Sequence, residues 1–418
     1  MLQAARAGGT DTRRSVFELF ARNLPPGRRY GVVAGTGRLL EALETFRFTD
    51  AELAFLSDND VVDPATCEWL ADFRFSGNIW AYPEGECYFP GSPIVVVEST
   101  FAEAVLLETL TLSILNHDSA VAAAASRMVV AAADRPCIEM GSRRTHEDAA
   151  VAAARAAYIA GFASTSNLEA GRRYGVPTQG TSAHAFTLVH DDEETAFRAQ
   201  VAALGPDTTL LVDTYDVPSG VRTAVEAAGE RLGSVRLDSG DLLTQAHEVR
   251  AQLDQLGARN TKIVVTSDLD EHAIAALAAA PVDGYGVGTS LVTGSGEPTA
   301  RMVYKLVART DESGTMTDVA KTSESKLSIG GRKYAVRRHD ATGRARAEVI
   351  GIGGHPAERP RDRDLLVPLV LDGEIVGHEP LTDARERHRH SRAALPPAAT
   401  KMSRGEAAIP TQYEEVPS

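Results

Sequence analysis

From residue 137 to residue 290 the chain repeats a single pattern. A short apolar run stops at small or charged residues, and a stretch with helical spacing follows. The runs are Cys137-Ile138-Glu139-Met140-Gly141, a segment reaching Thr181, and residues 209–213, 235–238, 263–267 and 284–289. Runs so short suit strands covered on both faces, and consecutive parallel strands need right-handed helical crossovers. The pattern predicts an α/β fold with a closed, irregular β/α barrel, an open parallel sheet being the alternative. Alanine-rich helices between the runs offer small faces for close packing.

The flanks have another texture. Residues 66–98 intersperse Trp69, Phe73, Phe75, Trp80, Tyr82, Tyr88 and Phe89 with Gly and Pro, which reads as short strands and tight turns, with Glu84-Gly85-Glu86 a hairpin tip. Thr100-Phe101-Ala102-Glu103 fits a capping box that opens a helix to about Asn116. A second, alanine-rich helix is expected over 118–133, with His117 a structural hydrogen-bonder at the junction. Beyond Thr299 strand-like runs return, with Asp372-Gly373 a hairpin turn. The predicted organisation is an α/β sandwich domain built from both chain ends (residues 1–110 and 301–390), an inserted barrel (111–300) and a polar tail (391–418).

At 418 residues the chain exceeds one ordinary core. Its 43 Lys+Arg against 57 Asp+Glu give a net charge of −14, which argues against nucleic acid or an anionic membrane as partner. A few local arginines can still hold a small anion. Cys67, Cys87 and Cys137 are far apart, so neither a disulfide framework nor a zinc site is expected. The apolar stretches are interrupted by Arg127 and Arg155, and residues 1–14 carry no signal-peptide pattern, so a cytoplasmic location is expected.

In barrels the reacting groups gather at the C-terminal strand ends. Here these carry Ser142-Arg143-Arg144, Asp213-Thr214, Arg236-Leu237-Asp238-Ser239-Gly240-Asp241, Ser267-Asp268 and Gly286-Val287-Gly288-Thr289-Ser290. Arginine forks suit phosphate or carboxylate, glycine-rich turns before helices offer N–H donors, and Mg²⁺ can join carboxylates to phosphates. Gln179-Gly180-Thr181-Ser182-Ala183-His184-Ala185-Phe186 adds an imidazole, and His184 is the candidate nucleophile for a phosphoryl group. Taken singly, Asp-Ser-Gly-Asp is more often a helix cap than a metal site, and Gly-x-Gly-Thr-Ser is equally a plain turn.

Glu139-Met140-Gly141-Ser142-Arg143-Arg144, Ser166-Asn167, Gly175-Val176-Pro177 with Gly180 to Phe186, Leu211-Val212-Asp213-Thr214-Tyr215, Val235 to Asp241, Gly286 to Ser290 and Val303-Tyr304-Lys305-Leu306-Val307 closely resemble nicotinate phosphoribosyltransferase. The resemblance, in the family's order and nearly end to end, implies a type II phosphoribosyltransferase-like barrel plus sandwich. It implies ATP-coupled condensation of nicotinate with phosphoribosyl pyrophosphate to nicotinate mononucleotide and pyrophosphate, in NAD salvage, by a homodimer with a shared active site. Under it His184 is the phosphorylated histidine, Thr181 and Arg236 hold nicotinate, and Gly288 and Thr289 serve the ribose phosphate. Arg143, Asp213, Asp238, Ser239 and Asp268 are assigned by placement to the diphosphate and its Mg²⁺, with Asp238 and Asp268 as metal candidates. Family members open on a Thr-Asp-x-Tyr segment whose tyrosine stacks on nicotinate. Met1-Leu2-Gln3-Ala4-Ala5 resembles the residues just after it, so that segment is expected upstream, or the ring is held otherwise. A related nicotinamide or quinolinate transferase, and a ligand-binding homologue without turnover, are the alternative readings.

Overall fold

A computed structural model describes residues 1–321 and 328–416, which divide into two compact units: residues 1–120 with the described residues from 299 onward, and residues 121–298.

In the second unit Cys137–Glu139, Ser164–Thr165, Thr209–Leu211, Ser234–Leu237, Lys262–Val265 and Gly284–Val287 form one parallel sheet. The last strand pairs with the first, setting Tyr285, Gly286 and Val287 opposite Cys137, Ile138 and Glu139. An open doubly wound sheet of this chain order would leave its last strand at an edge, so the pairing identifies a barrel. The ring is irregular. Beyond Ser164–Thr165 it continues only as a bridge between Thr165 and Thr178. There Thr165 N–H donates to the Pro177 carbonyl and Gln179 N–H to that of Thr165, each at 2.9 Å. The strand expected to reach Thr181 is thus a single bridge, because Pro177 has no N–H to extend the ladder. Among the described residues no ladder joins this segment to Thr209–Leu211, which leaves a seam.

Small residues let the layers approach. Helix Glu147–Ile159 buries Ala150, Ala153, Ala154 and Ala157. A Cβ on Gly286 would stand 2.5 Å from Thr266 Cγ2 and 2.7 Å from Met140 Sδ, so only glycine fits between those two strand ends.

In the first unit both chain ends interleave. Strand Arg14–Ala21 lies between Met302–Thr310 and Val95–Thr100, and the sheet continues through Asn78–Ala81 to Val367–Leu371 and Glu374–Ile375. A four-stranded sheet runs Arg363–Asp364, Lys333–His339, Ala345–Ile352, Thr411–Glu415. Leu19, Val97, Tyr304, Ala335 and Ile350 belong to one core. Asp372 and Gly373 have φ of 48° and 83°, the two positive values of a type I′ turn, and join Val367–Leu371 to its antiparallel partner.

Several local expectations differ from what is observed. Residues 101–132 form one helix, Phe101–Ala132, with no break at His117. Asn116 could have ended it, but its side chain exchanges hydrogen bonds with the backbone of Met302 (2.9 and 3.3 Å), and Asp118 pairs with Arg38 at 2.8 Å. Neither side chain is left to compete for the helix's own N–H groups. Glu84-Gly85-Glu86 is a buried turn but not a hairpin tip, since Asn78–Ala81 before it pairs with Val95–Thr100 and Val367–Leu371, and Cys87–Tyr88 after it pairs with Gly31–Val32. The tail is not wholly a polar extension: Thr411–Glu415 adds a parallel edge strand to Ala345–Ile352, where Glu414 pairs with Arg338 at 2.9 Å. No helix among the described residues is long and apolar enough to cross a membrane.

Candidate active site

Strand alternation sends Arg236 and Asp238 to the same side of the sheet, and the parallel register sets Arg236 opposite Val264 on the next strand. Thr266, two residues on, therefore lies level with Asp238. The Arg236 guanidinium is buried and almost fully committed. Nε donates to Thr266 Oγ1 at 2.9 Å, Nη1 to Thr181 Oγ1 at 2.6 Å and to the Ser182 carbonyl at 3.1 Å, and Nη2 lies 3.0 Å from Asp238 Oδ1. Of its five N–H groups one, on Nη2, remains.

Asp238 Oδ1 also accepts a hydrogen bond from the Thr266 hydroxyl. Burial raises this carboxyl's pKa, but the Thr266 bond and the Arg236 charge and hydrogen bond outweigh it and hold it below the usual aspartate value. Asp213, at the end of the neighbouring strand, receives the Asp238 N–H (2.8 Å) and the Ser239 hydroxyl (3.0 Å) on Oδ2. Its side chain is 2% exposed, and Oδ1 is buried without a hydrogen-bond partner.

His184 opens the short helix His184–Leu188 immediately after the loop that Arg236 grips. Nδ1 lies 3.1 Å from Thr214 Oγ1. Nε2 faces the carboxylates, 3.7 Å from Asp238 Oδ2 and 3.9 Å from Asp213 Oδ1, and the side chain is 40% exposed. One ring nitrogen is thus anchored by a hydroxyl, and the other is reachable and lies beside two acidic groups.

Thr181, His184, Asp213, Arg236, Asp238 and Ser239 are joined in this network. Arg143 and Asp268 are exposed at other strand ends of the same barrel face, and Thr289 opens the short helix Thr289–Val292 with Gly288 as its N-cap. Asp241 lies outside this network and caps helix Leu242–Gln255 through Thr244. Gly180 has room for a Cβ, so no contact in the barrel demands a glycine there. Among the described residues no group of three His, Cys, Asp or Glu side chains is set to hold a metal ion.

Three contributors were not singled out from the sequence. Thr266 was recoverable from period-two alternation two residues after Val264. Buried Glu139 receives the Gly141 N–H and the Thr165 hydroxyl, fixing the turn that leads to Arg143. Burial nevertheless pushes its carboxyl pKa up, those two bonds offsetting only part of the effect. Glu193, whose Oε1 is buried without a hydrogen-bond partner, has its carboxyl pushed up to about 7 by burial and then by the charges of Asp213 and Asp216. Glu139 opens one of the family motifs, but its contact with Thr165 and the burial of Glu193 Oε1 have no local signal, since both depend on what folds against them.

The family model for the nicotinate phosphoribosyltransferase N-terminal domain matches residues 1–116. The chain is 58% identical to nicotinate phosphoribosyltransferase pncB1 of Mycobacterium tuberculosis, with 99% of this chain and 92% of the relative covered. It is 41% identical to nicotinate phosphoribosyltransferase of Bacillus subtilis, covering 79% and 69%. A crystal structure of human nicotinic acid phosphoribosyltransferase superposes with a TM-score of 0.84 at 26% identity, over 100% of this chain and 96% of that one. With a barrel of the type II phosphoribosyltransferase fold and near-complete coverage at such identity, the chain belongs to the nicotinate phosphoribosyltransferase family, enzymes of nicotinate phosphoribosylation in NAD salvage.

Proposed function

We propose that this enzyme condenses nicotinate with phosphoribosyl pyrophosphate to nicotinate mononucleotide and pyrophosphate, and that ATP drives the reaction by phosphorylating His184. The observation that carries the reading is the position of His184 Nε2, within 4 Å of carboxylates from two different strands, one of which is paired to Arg236.

With Nδ1–H donating to Thr214, the Nε2 lone pair is free to attack the γ-phosphorus of ATP. The Nε2–P bond forms, the bond from phosphorus to the bridging oxygen breaks, and ADP leaves with that electron pair. The ring then carries a positive charge, which Asp213 and Asp238 stabilise from below 4 Å. Positioning and charge stabilisation dominate phosphoryl transfer, and the side chains here are held by mutual hydrogen bonds before substrate arrives.

Mg²⁺ fits this set through substrate phosphates. Asp213 Oδ1 has no hydrogen-bond partner, and Asp238 Oδ2 is left over from the Arg236 and Thr266 contacts. The ion would supply charge neutralisation for the polyphosphate beside these carboxylates. Asp268 would reach it only from its exposed strand end.

The pyridine carboxylate is assigned to the remaining Nη2 N–H of Arg236 and to Thr181. A charge-assisted bond to a cation favours the acid over the amide. A homodimer with a shared site is supported by Leu188 and Val189, 60% and 77% exposed beside His184, which a second copy would cover. Free thiols at Cys67, Cys87 and Cys137 support a reducing, cytoplasmic location.

Product analysis with nicotinate, nicotinamide or quinolinate, each with phosphoribosyl pyrophosphate, Mg²⁺ and ATP, tests the reaction. Nicotinate mononucleotide should dominate, and a preference for the amide would overturn the Arg236 assignment. His184→Ala should abolish ATP hydrolysis while leaving slow ATP-independent synthesis. Unchanged hydrolysis in that variant would refute the phosphohistidine.

A further inference from the structure

Where the barrel ladder fails, between the Thr178 segment and Thr209–Leu211, one side chain spans the gap. Gln200, on helix Glu193–Leu204, is 6% exposed. Its Nε2 donates to Thr208 Oγ1 and to the Thr209 carbonyl, both at 2.9 Å, and its Oε1 accepts from the Ser182 hydroxyl. Both amide hydrogens and the carbonyl oxygen are thus engaged in a buried setting, where losing a partner is costly.

The far side of the same loop is held from within the barrel. Arg236 Nη1 donates to the Ser182 carbonyl and to Thr181 Oγ1. Residues 181 and 182 therefore lie between an arginine on one side and a glutamine on the other, and His184 follows two residues later. The flanking Gly180 and Ala183 are exposed, so the loop has little packing of its own to fix it.

We propose that Gln200 is a positioning residue for the reaction: by bridging the seam it substitutes for the absent ladder and fixes the 181–184 loop. Thr181 is thereby presented with Arg236 to the pyridine carboxylate, and His184 is held against Asp213 and Asp238. The inference rests on the assignment of Thr181, Arg236 and His184 made above.

Ser182→Ala and Gln200→Leu each remove the tie from opposite ends. Each should raise the KM for nicotinate about tenfold, with kcat changing less, since loosened substrate-positioning groups act first on binding geometry. The double variant should be no worse than Gln200→Leu alone, because that change already removes the contact with Ser182 along with those to Thr208 and Thr209. A loss of fold stability alone would lower the yield of active enzyme without producing this KM shift or this non-additivity. Ser182→Ala removes only a hydroxyl from a partly exposed loop, so it keeps the test open should Gln200→Leu fail to fold. Unchanged nicotinate KM in folded Ser182→Ala, or effects that multiply in the double variant, would overturn the proposal. Thr181→Val separates the two levels. If it raises KM while Ser182→Ala does not, only the role of Gln200 falls; if it too leaves KM unchanged, the site assignment itself is at fault.

Discussion

Around His184 the site keeps acidic oxygens in reserve. Asp213 Oδ1 is buried without a hydrogen bond, and so is Glu193 Oε1. Glu193 is pushed up to about 7 by burial, with the charges of Asp213 and Asp216 adding to it. A carboxyl raised above its unfolded value contributes stability that is complete below pH 4.5 and is lost as pH rises through about 7. Glu193→Gln should therefore melt higher than the parent enzyme at pH 8, with the difference shrinking toward pH 5. Thermal unfolding at both pH values measures this. Equal melting temperatures at pH 8 would mean that solvent relieves the repulsion from Asp213 and Asp216.

Among the elements, helix Leu381–Ala394 shows how a turn and a helix constrain each other. Gly85 has φ +84°, and a Cβ there would lie 2.0 Å from the Ala384 carbonyl oxygen and 3.0 Å from the His388 nitrogen. His388, buried in the helix, meets the Gly85 carbonyl through Nδ1 at 3.1 Å. Gly85→Ala imposes both left-handed strain and a clash with helix backbone that has no rotamer to yield. The expected loss is on the order of 3 kcal/mol, measurable by urea unfolding. A loss under about 0.5 kcal/mol, the range of ordinary surface changes, would mean the helix docks more loosely than it appears.

At the scale of the whole molecule the two chain ends are joined through buried charge. Arg337, 1% exposed, pairs with Glu86 at 3.3 Å and Glu348 at 2.6 Å, and Arg363 reaches Glu86 at 2.7 Å. Burial opposes ionisation of Glu86, but the charges of Arg337 and Arg363, with hydrogen bonds from Arg363 and Ser391, hold it at about 2. Burial next to Arg392 lowers His388 to about 4. Both folded values lie below the unfolded ones, so both contributions are present at neutral pH and lost on acidification. The windows differ: His388 acts between about 6.5 and 4, Glu86 between 4.5 and about 2. Unfolding free energy should thus begin to fall already below pH 6.5, and His388→Asn should flatten that first phase alone. An unchanged pH profile in the variant would remove His388 from the account.

The sequence by itself determined the alternation that makes a barrel, the reversion to β texture at both ends, and the family motifs containing His184, Arg236 and Asp238. These are local signals: side-chain period, turn chemistry and the residue types at strand ends. It misjudged the break at His117, because Asn116 and Asp118 find partners distant in sequence that silence their helix-ending tendency. It could not reveal the seam, the partnering of Gln200 with Ser182, or the orphaned oxygen of Asp213. Those depend on which strands hydrogen-bond and which do not, and only long-range packing decides that.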